Sequence, residues 1–112
     1  MQKDDQVRLR HMLEAAKEAL SFAQDETRAS LEKDRKLELA LVKSIEIIGE
    51  AAVKVTDKCR KDLPHIPWAS IMGMRNRLIH AYFDLDRDIL WKTIREDLPS
   101  LVAELEQILK AE

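Results

Sequence analysis

Two arginines, an asparagine, a histidine, a tyrosine and two aspartates crowd into RNRLIHAYFDLD, Arg75 to Asp86, among apolar residues of the kind that fill cores. Histidine exchanges a proton near neutral pH, and arginine offers a planar, permanently charged fork that matches phosphate oxygens. Together they suit phosphodiester cleavage. With the RNA 2′-hydroxyl as nucleophile, His80 can act as general base or acid while Arg75 stabilises charge on the phosphoryl oxygens. The products would be a 2′,3′-cyclic phosphate and a 5′-hydroxyl, and this chemistry requires neither a metal nor a cofactor.

The spacing constrains how these groups can meet. If the segment is one helix, at about 100° per residue, Arg75 and His80 point about 140° apart, whereas Asn76 and His80 share a face. Tyr82 then projects to nearly the opposite side from His80, unless the helix frays before Phe83. One helix cannot close such a site, but two copies meeting across a two-fold axis bring an arginine and a histidine from different subunits together. The expectation is a composite site in a homodimer.

The elements that must position the segment are helical. In 112 residues, 46% are hydrophobic and 36% charged, with only two glycines and three prolines. That balance fits one all-α domain spanning residues 1–112, and argues against disorder or a β-rich fold. A net charge of −2 argues against a general nucleic-acid coat, because sequence-independent binding needs a broad basic surface. Any contact with RNA must be local. Leu9, Met12, Leu13, Ala16, Leu20 and Ala23 recur at helical spacing and predict a first amphipathic helix. Ser30 and Asp34 supply capping groups for a bend between Gln24 and Asp34. From Arg35 to about Arg60 apolar residues cover more than one face, which predicts a central helix packed on several sides. Pro64 and Pro67 stop it. A third helix is expected from Trp68 through Tyr82, and a fourth from near Asp86, kinked or restarted at Pro99. The single cysteine, Cys59, the absence of an apolar leader after Met-Gln-Lys-Asp-Asp, and charges recurring throughout predict a cytoplasmic protein with no membrane span.

Arg75-x4-His80-x-Tyr82 resembles the signature of the HEPN superfamily, specifically its HepT-like toxins, encoded beside a minimal nucleotidyltransferase antitoxin. DRKLELA at 34–40, EIIGEAA at 46–52, IPW at 66–68, GMRNRLIHAYFDLD at 73–86 and DLP at 97–99 are similar to that family in the same order. The resemblance implies a HEPN-type up-and-down four-helix bundle with a short extra helix or a kinked final helix, and a homodimer. It implies a metal-independent endoribonuclease, the toxin of a type VII toxin–antitoxin pair, with RNA such as tRNA or mRNA as substrate. The family's ribonuclease motif falls on Arg75 and His80, with Asn76 as the polar residue beside the arginine. It further implies that the partner nucleotidyltransferase adds AMP to Tyr82, placing bulk and negative charge beside the RNA groove.

Other residues have plainer readings. His11, among the charges of the first helix, and His65, between two prolines, are expected to face solvent. Asp84 and Asp86 could be imagined as a metal pair, but one or both are expected to cap the next helix. Lys54, Lys58, Arg60 and Lys61 could hold RNA, but cations there also complement a helix dipole. Arg35, Glu46 and Glu50 can pair structurally or lean towards the site, and spacing does not choose. Cys59, beside Arg60, could carry a lowered pKa, but without an acid–base partner it is read as structural. The competing function class is a non-catalytic module that binds a nucleotidyltransferase or a nucleotide.

Overall fold

The computed structural model describes residues 1–81 and 84–112, with backbone alone for residues 79–81. The chain is predominantly helical. Its elements are α1 (Lys3–Ala23), α2 (Ser30–Lys33), α3 (Arg35–Lys54), α4 (Asp57–Asp62) and α5 (Trp68–Leu78). They continue with β1 (Ile79–Ala81), β2 (Asp84–Leu85), α6 (Arg87–Lys92), a π-helical turn (Thr93–Asp97) and α7 (Leu98–Ala111).

The face of α1 carrying Leu9, Met12, Ala16, Ala19 and Ala23 is buried against α3 and α7. Its alanines let the helices approach closely. At the expected bend, Asp25 takes a left-handed φ of 64°, and Asp34 caps α3 by accepting from the Leu37 N–H at 3.1 Å. The connecting turn is tied down from below: Arg95 donates to the Glu26 carbonyl at 2.8 Å, and Arg28 to Asp88 at 2.7 Å.

The central helix stops earlier than the sequence suggests, at Lys54. Val55 is extended, and Thr56 starts α4 by accepting from the Cys59 N–H at 3.2 Å. The reason lies 51 residues away, where buried Asp5 accepts both the Thr56 N–H, at 2.9 Å, and its hydroxyl, at 2.8 Å. That contact also sets direction, because the start of α1 meets the end of α3 and the two helices run antiparallel. α5 likewise opposes α3: Ile71 lies beside Gly49 while the later Arg75 reaches back to Glu46. The end of α7, at Ile108 and Ala111, lines one groove with Gln2 and Asp5 at the start of the chain.

Pro99 does restart the last helix. A proline ring collides with the carbonyl four residues earlier in a regular α-helix. Here a π turn precedes it, in which the Leu98 N–H reaches back to Thr93, and α7 then continues. Leu41, Ile45, Ile48, Leu78, Leu90, Ile94, Leu98 and Leu105 form the buried centre between these helices. No helix among the described residues is long and apolar enough to cross a membrane.

Candidate functional site: the end of helix α5 and the strand after it

α5 starts where Pro67 lends its carbonyl to the Ile71 N–H at 3.0 Å, and the indole of Trp68 donates to the Leu63 carbonyl at 3.0 Å. Trp68, Ile71, Met74 and Leu78 form its buried face. Spacing therefore turns Arg75, Asn76 and Arg77 outward, and all three are exposed. Arg75 donates through Nε to Oε1 of Glu46 at 3.3 Å while its side chain stays 57% exposed. Such a surface pair contributes well under about 1 kcal/mol. Among the described residues its two Nη groups have no partner, so the guanidinium fork remains available to an anion. Arg77 is committed differently, donating to the Ser70 carbonyl at 3.0 Å on its own helix.

The expected third helix through Tyr82 is corrected here, because α5 ends at Leu78. Ile79, His80 and Ala81 form β1, which pairs antiparallel with β2 in the register Ile79 opposite Leu85 and Ala81 opposite Asp84. Asn76 and His80 thus do not share a helix face, and the 140° separation of Arg75 from His80 does not apply. Ile79 is β-branched, and Tyr82 and Phe83 are aromatic, so the segment holds strand-forming types that a helical reading overlooks. Tyr82 lies outside the described residues, as does the side chain of His80.

The strand pair is closed at its base. The Asp86 N–H donates to the Leu78 carbonyl at 2.7 Å, and Oδ1 of Asp86 caps α6 by accepting from the Ile89 N–H at 3.0 Å. Asp86 is therefore a helix cap, and Asp84 sits exposed on β2. Immediately beyond, Arg87 reaches the fully buried carboxylate of Glu38, its Nε 2.5 Å from Oε2, and Arg35 approaches the same carboxylate at 2.6 Å. The hydrogen bond and charge of Glu38 push the Arg87 pKa above its ordinary value.

The remaining candidates separate from this site. His11 and His65 are exposed. Lys54, Lys58 and Lys61 are exposed around the break between α3 and α4, and Arg60 is held by Asp57 and touches the Met72 sulfur at 3.4 Å. Cys59 is buried, and burial, followed by the charge of Asp5, raises its pKa rather than lowering it. Of the residues that spacing left undecided, Glu46 joins Arg75 and Arg35 joins Glu38. No local signal announces Glu46, whose partner stands 29 residues away, and the i,i+3 pairing of Arg35 with Glu38 does not announce the second arginine, Arg87, 49 residues on.

Residues 12–108 match the family described as "Ribonuclease HepT-like". The chain belongs to the HepT-like family of the HEPN superfamily. It is 43% identical over 77 residues to "Probable ribonuclease HepT" of Thermococcus cleftensis, covering 69% of this chain and 70% of that protein. It is 34% identical over 104 residues to "Putative RNase MJ1380" of Methanocaldococcus jannaschii, covering 93% and 95% respectively. A third relative, "Putative RNase TTE0752" of Caldanaerobacter subterraneus, is 41% identical over 80 residues, 71% of each chain. No solved structure gives a significant match. Ribonuclease activity is thus the family-level assignment for this HepT-like chain.

Proposed function

We propose that this HepT-like chain is a metal-independent endoribonuclease toxin with the HEPN-type up-and-down bundle, active as a homodimer and restrained by a nucleotidyltransferase that adds AMP to Tyr82. The carrying observation is the exposed, loosely held Arg75 at the end of α5, with the strand bearing His80 beginning four residues on. Arg75 binds the scissile phosphate through its free Nη groups. His80 withdraws the proton as the 2′-oxygen bonds to phosphorus. The P–O5′ bond then breaks, the leaving oxygen takes a proton, and a cyclic phosphate remains. Asn76, exposed beside Arg75, orients the phosphate.

The surface of α3 supports the dimer. Leu39, Lys43, Glu46, Glu50 and Val53 form one stripe opposite its buried face, and Leu39 and Val53 are 51% and 59% exposed. The stripe is self-complementary about Glu46. In an antiparallel two-fold pairing Leu39 meets Val53 of the partner subunit, and Lys43 comes within reach of Glu50 of the partner subunit. Because Arg75 sits on Glu46, this axis brings both arginines to the centre of the dimer.

The test is cleavage of labelled tRNA and total RNA by unmodified protein in EDTA, beside the variant His80→Ala. Cyclic-phosphate ends that disappear in the variant support the reading. Absence of cleavage by protein of verified unmodified mass favours a non-catalytic binding module.

A further inference from the structure

Glu38 is the only carboxylate of α3 with a fully buried side chain among the described residues, and nothing in the cleavage chemistry calls for it. Its oxygens are occupied by two arginines from different parts of the chain. Oε1 takes Nη1 of Arg35 at 2.6 Å and Nη2 of Arg87 at 3.5 Å, while Oε2 takes Nε of Arg87 at 2.5 Å. Arg87 is the first residue of α6, and the strand pair containing His80 ends one residue before the Asp86 cap. Among the described residues, the Leu78 carbonyl accepts from the Asp86 N–H at the base of the segment, and the Arg87 fork ties it to α3.

A buried carboxylate whose arginine partners stay 39% and 67% exposed is a poor source of stability, since such pairs are partly screened by solvent and apolar residues of similar volume often do as well or better. What a two-point guanidinium fork supplies is orientation, because both its contacts must be satisfied in one geometry. We infer that Glu38, acting through Arg87, is a positioning residue that fixes the His80-bearing strand pair relative to Arg75. Arg75 is referenced to α3 through Glu46, and the strand pair is referenced to the same helix through Glu38, two turns earlier. α3 therefore serves as the common ruler between the two halves of the site.

This inference rests on the ribonuclease reading, and its test has one arm that does not. In Glu38→Gln, one accepting oxygen becomes a donor facing an arginine. Amide hydrogen exchange across residues 79–86 should accelerate at least about tenfold, while α1 and α7 exchange as before. With cleavage established for the parent protein, kcat should fall about 10- to 100-fold, as for a misplaced catalytic group, with KM for RNA within about threefold. The double variant Glu38→Leu with Arg87→Met separates positioning from packing: it should recover thermal stability and leave kcat depressed. Recovery of both, or unchanged exchange at 79–86 in Glu38→Gln, overturns the inference. If the parent protein does not cleave RNA while the exchange arm responds, the ribonuclease reading fails and the positioning of the strand pair stands.

Discussion

Reversing Lys43 to Glu tests the dimer through its register. Lys43 and Glu50 are exposed on the same stripe of α3, and in the proposed dimer a two-fold axis beside Glu46 would make each cross-subunit contact occur twice. An exposed ion pair contributes about 0.2–1 kcal/mol, so about 0.5 kcal/mol of attraction per contact becomes comparable repulsion in Lys43→Glu. Two contacts then give a swing of about 2 kcal/mol, or about a 30-fold weaker dimer. Sedimentation equilibrium should show this loss at about 50 mM salt and much less of it at about 500 mM, where the Debye length falls below typical charge separations. The decisive comparison is the swap Lys43→Glu with Glu50→Lys, which restores opposite charges across the axis without changing the composition. It should return the dissociation constant to within about threefold of the parent. A swapped protein as weak as Lys43→Glu alone, or a single reversal that leaves the dimer untouched, refutes the antiparallel register about Glu46.

Four further outcomes are expected. Gly73→Ala adds a methyl group to α5 where nothing lies within 4 Å, so it should stabilise the fold by about 0.5–1 kcal/mol in urea unfolding. Asp5→Ala strands the Thr56 amide and hydroxyl and should destabilise by about 1–3 kcal/mol, lowering the thermal midpoint without altering the helical spectrum. Because burial and Asp5 raise the Cys59 pKa, its thiolate fraction at neutral pH is below that of a free cysteine; iodoacetamide should label it more slowly than the unfolded chain, with the rate still rising above pH 9. Arg60 holds the Asp57 pKa below its usual value, so this pair stabilises the fold above the ordinary aspartate pKa and is lost as pH falls through the depressed one; Asp57→Asn should flatten the acid limb of the stability profile.

Where the signal was local, the residues predicted the structure. Asp34 and Asp86 cap helices at the positions their spacing suggests, Pro64 and Pro67 lie in the connector before α5, and Pro99 marks the restart of the final helix. Two of the failures share one physical cause, a partner distant in sequence. The break at Val55 depends on Asp5, whose carboxylate makes a cap of Thr56 inside an otherwise continuous helical pattern. Glu38 is paired by the distant Arg87 as well as by Arg35, and an i,i+3 arginine in DRKLELA does not by itself separate a core carboxylate from a solvated one. The end of α5 was legible in principle, since Ile79, Tyr82 and Phe83 favour strands, but no glycine or proline punctuates it.

That early end changes what the site can do. On a continuous helix, residues five positions apart would have needed a second subunit merely to face one another. Once the chain leaves the helix at Leu78, the strand following Arg75 runs in its own direction, set by the closure at Asp86 and the anchor at Arg87. In the proposed site, the geometry between the phosphate-binding and proton-transferring groups therefore depends on two acidic residues of α3, Glu46 and Glu38. Those same carboxylates would reconcile an overall negative charge with the proposed anionic substrate: Glu38 engages Arg35 and Arg87, whereas Glu46 holds Arg75 through Nε alone and leaves its fork loosely engaged. On the proposed reading, RNA is attracted at one point rather than over a surface. On this logic replacing Glu46 with Gln loosens Arg75 and weakens its placement, while adding lysines elsewhere raises affinity for RNA without raising the rate of cleavage.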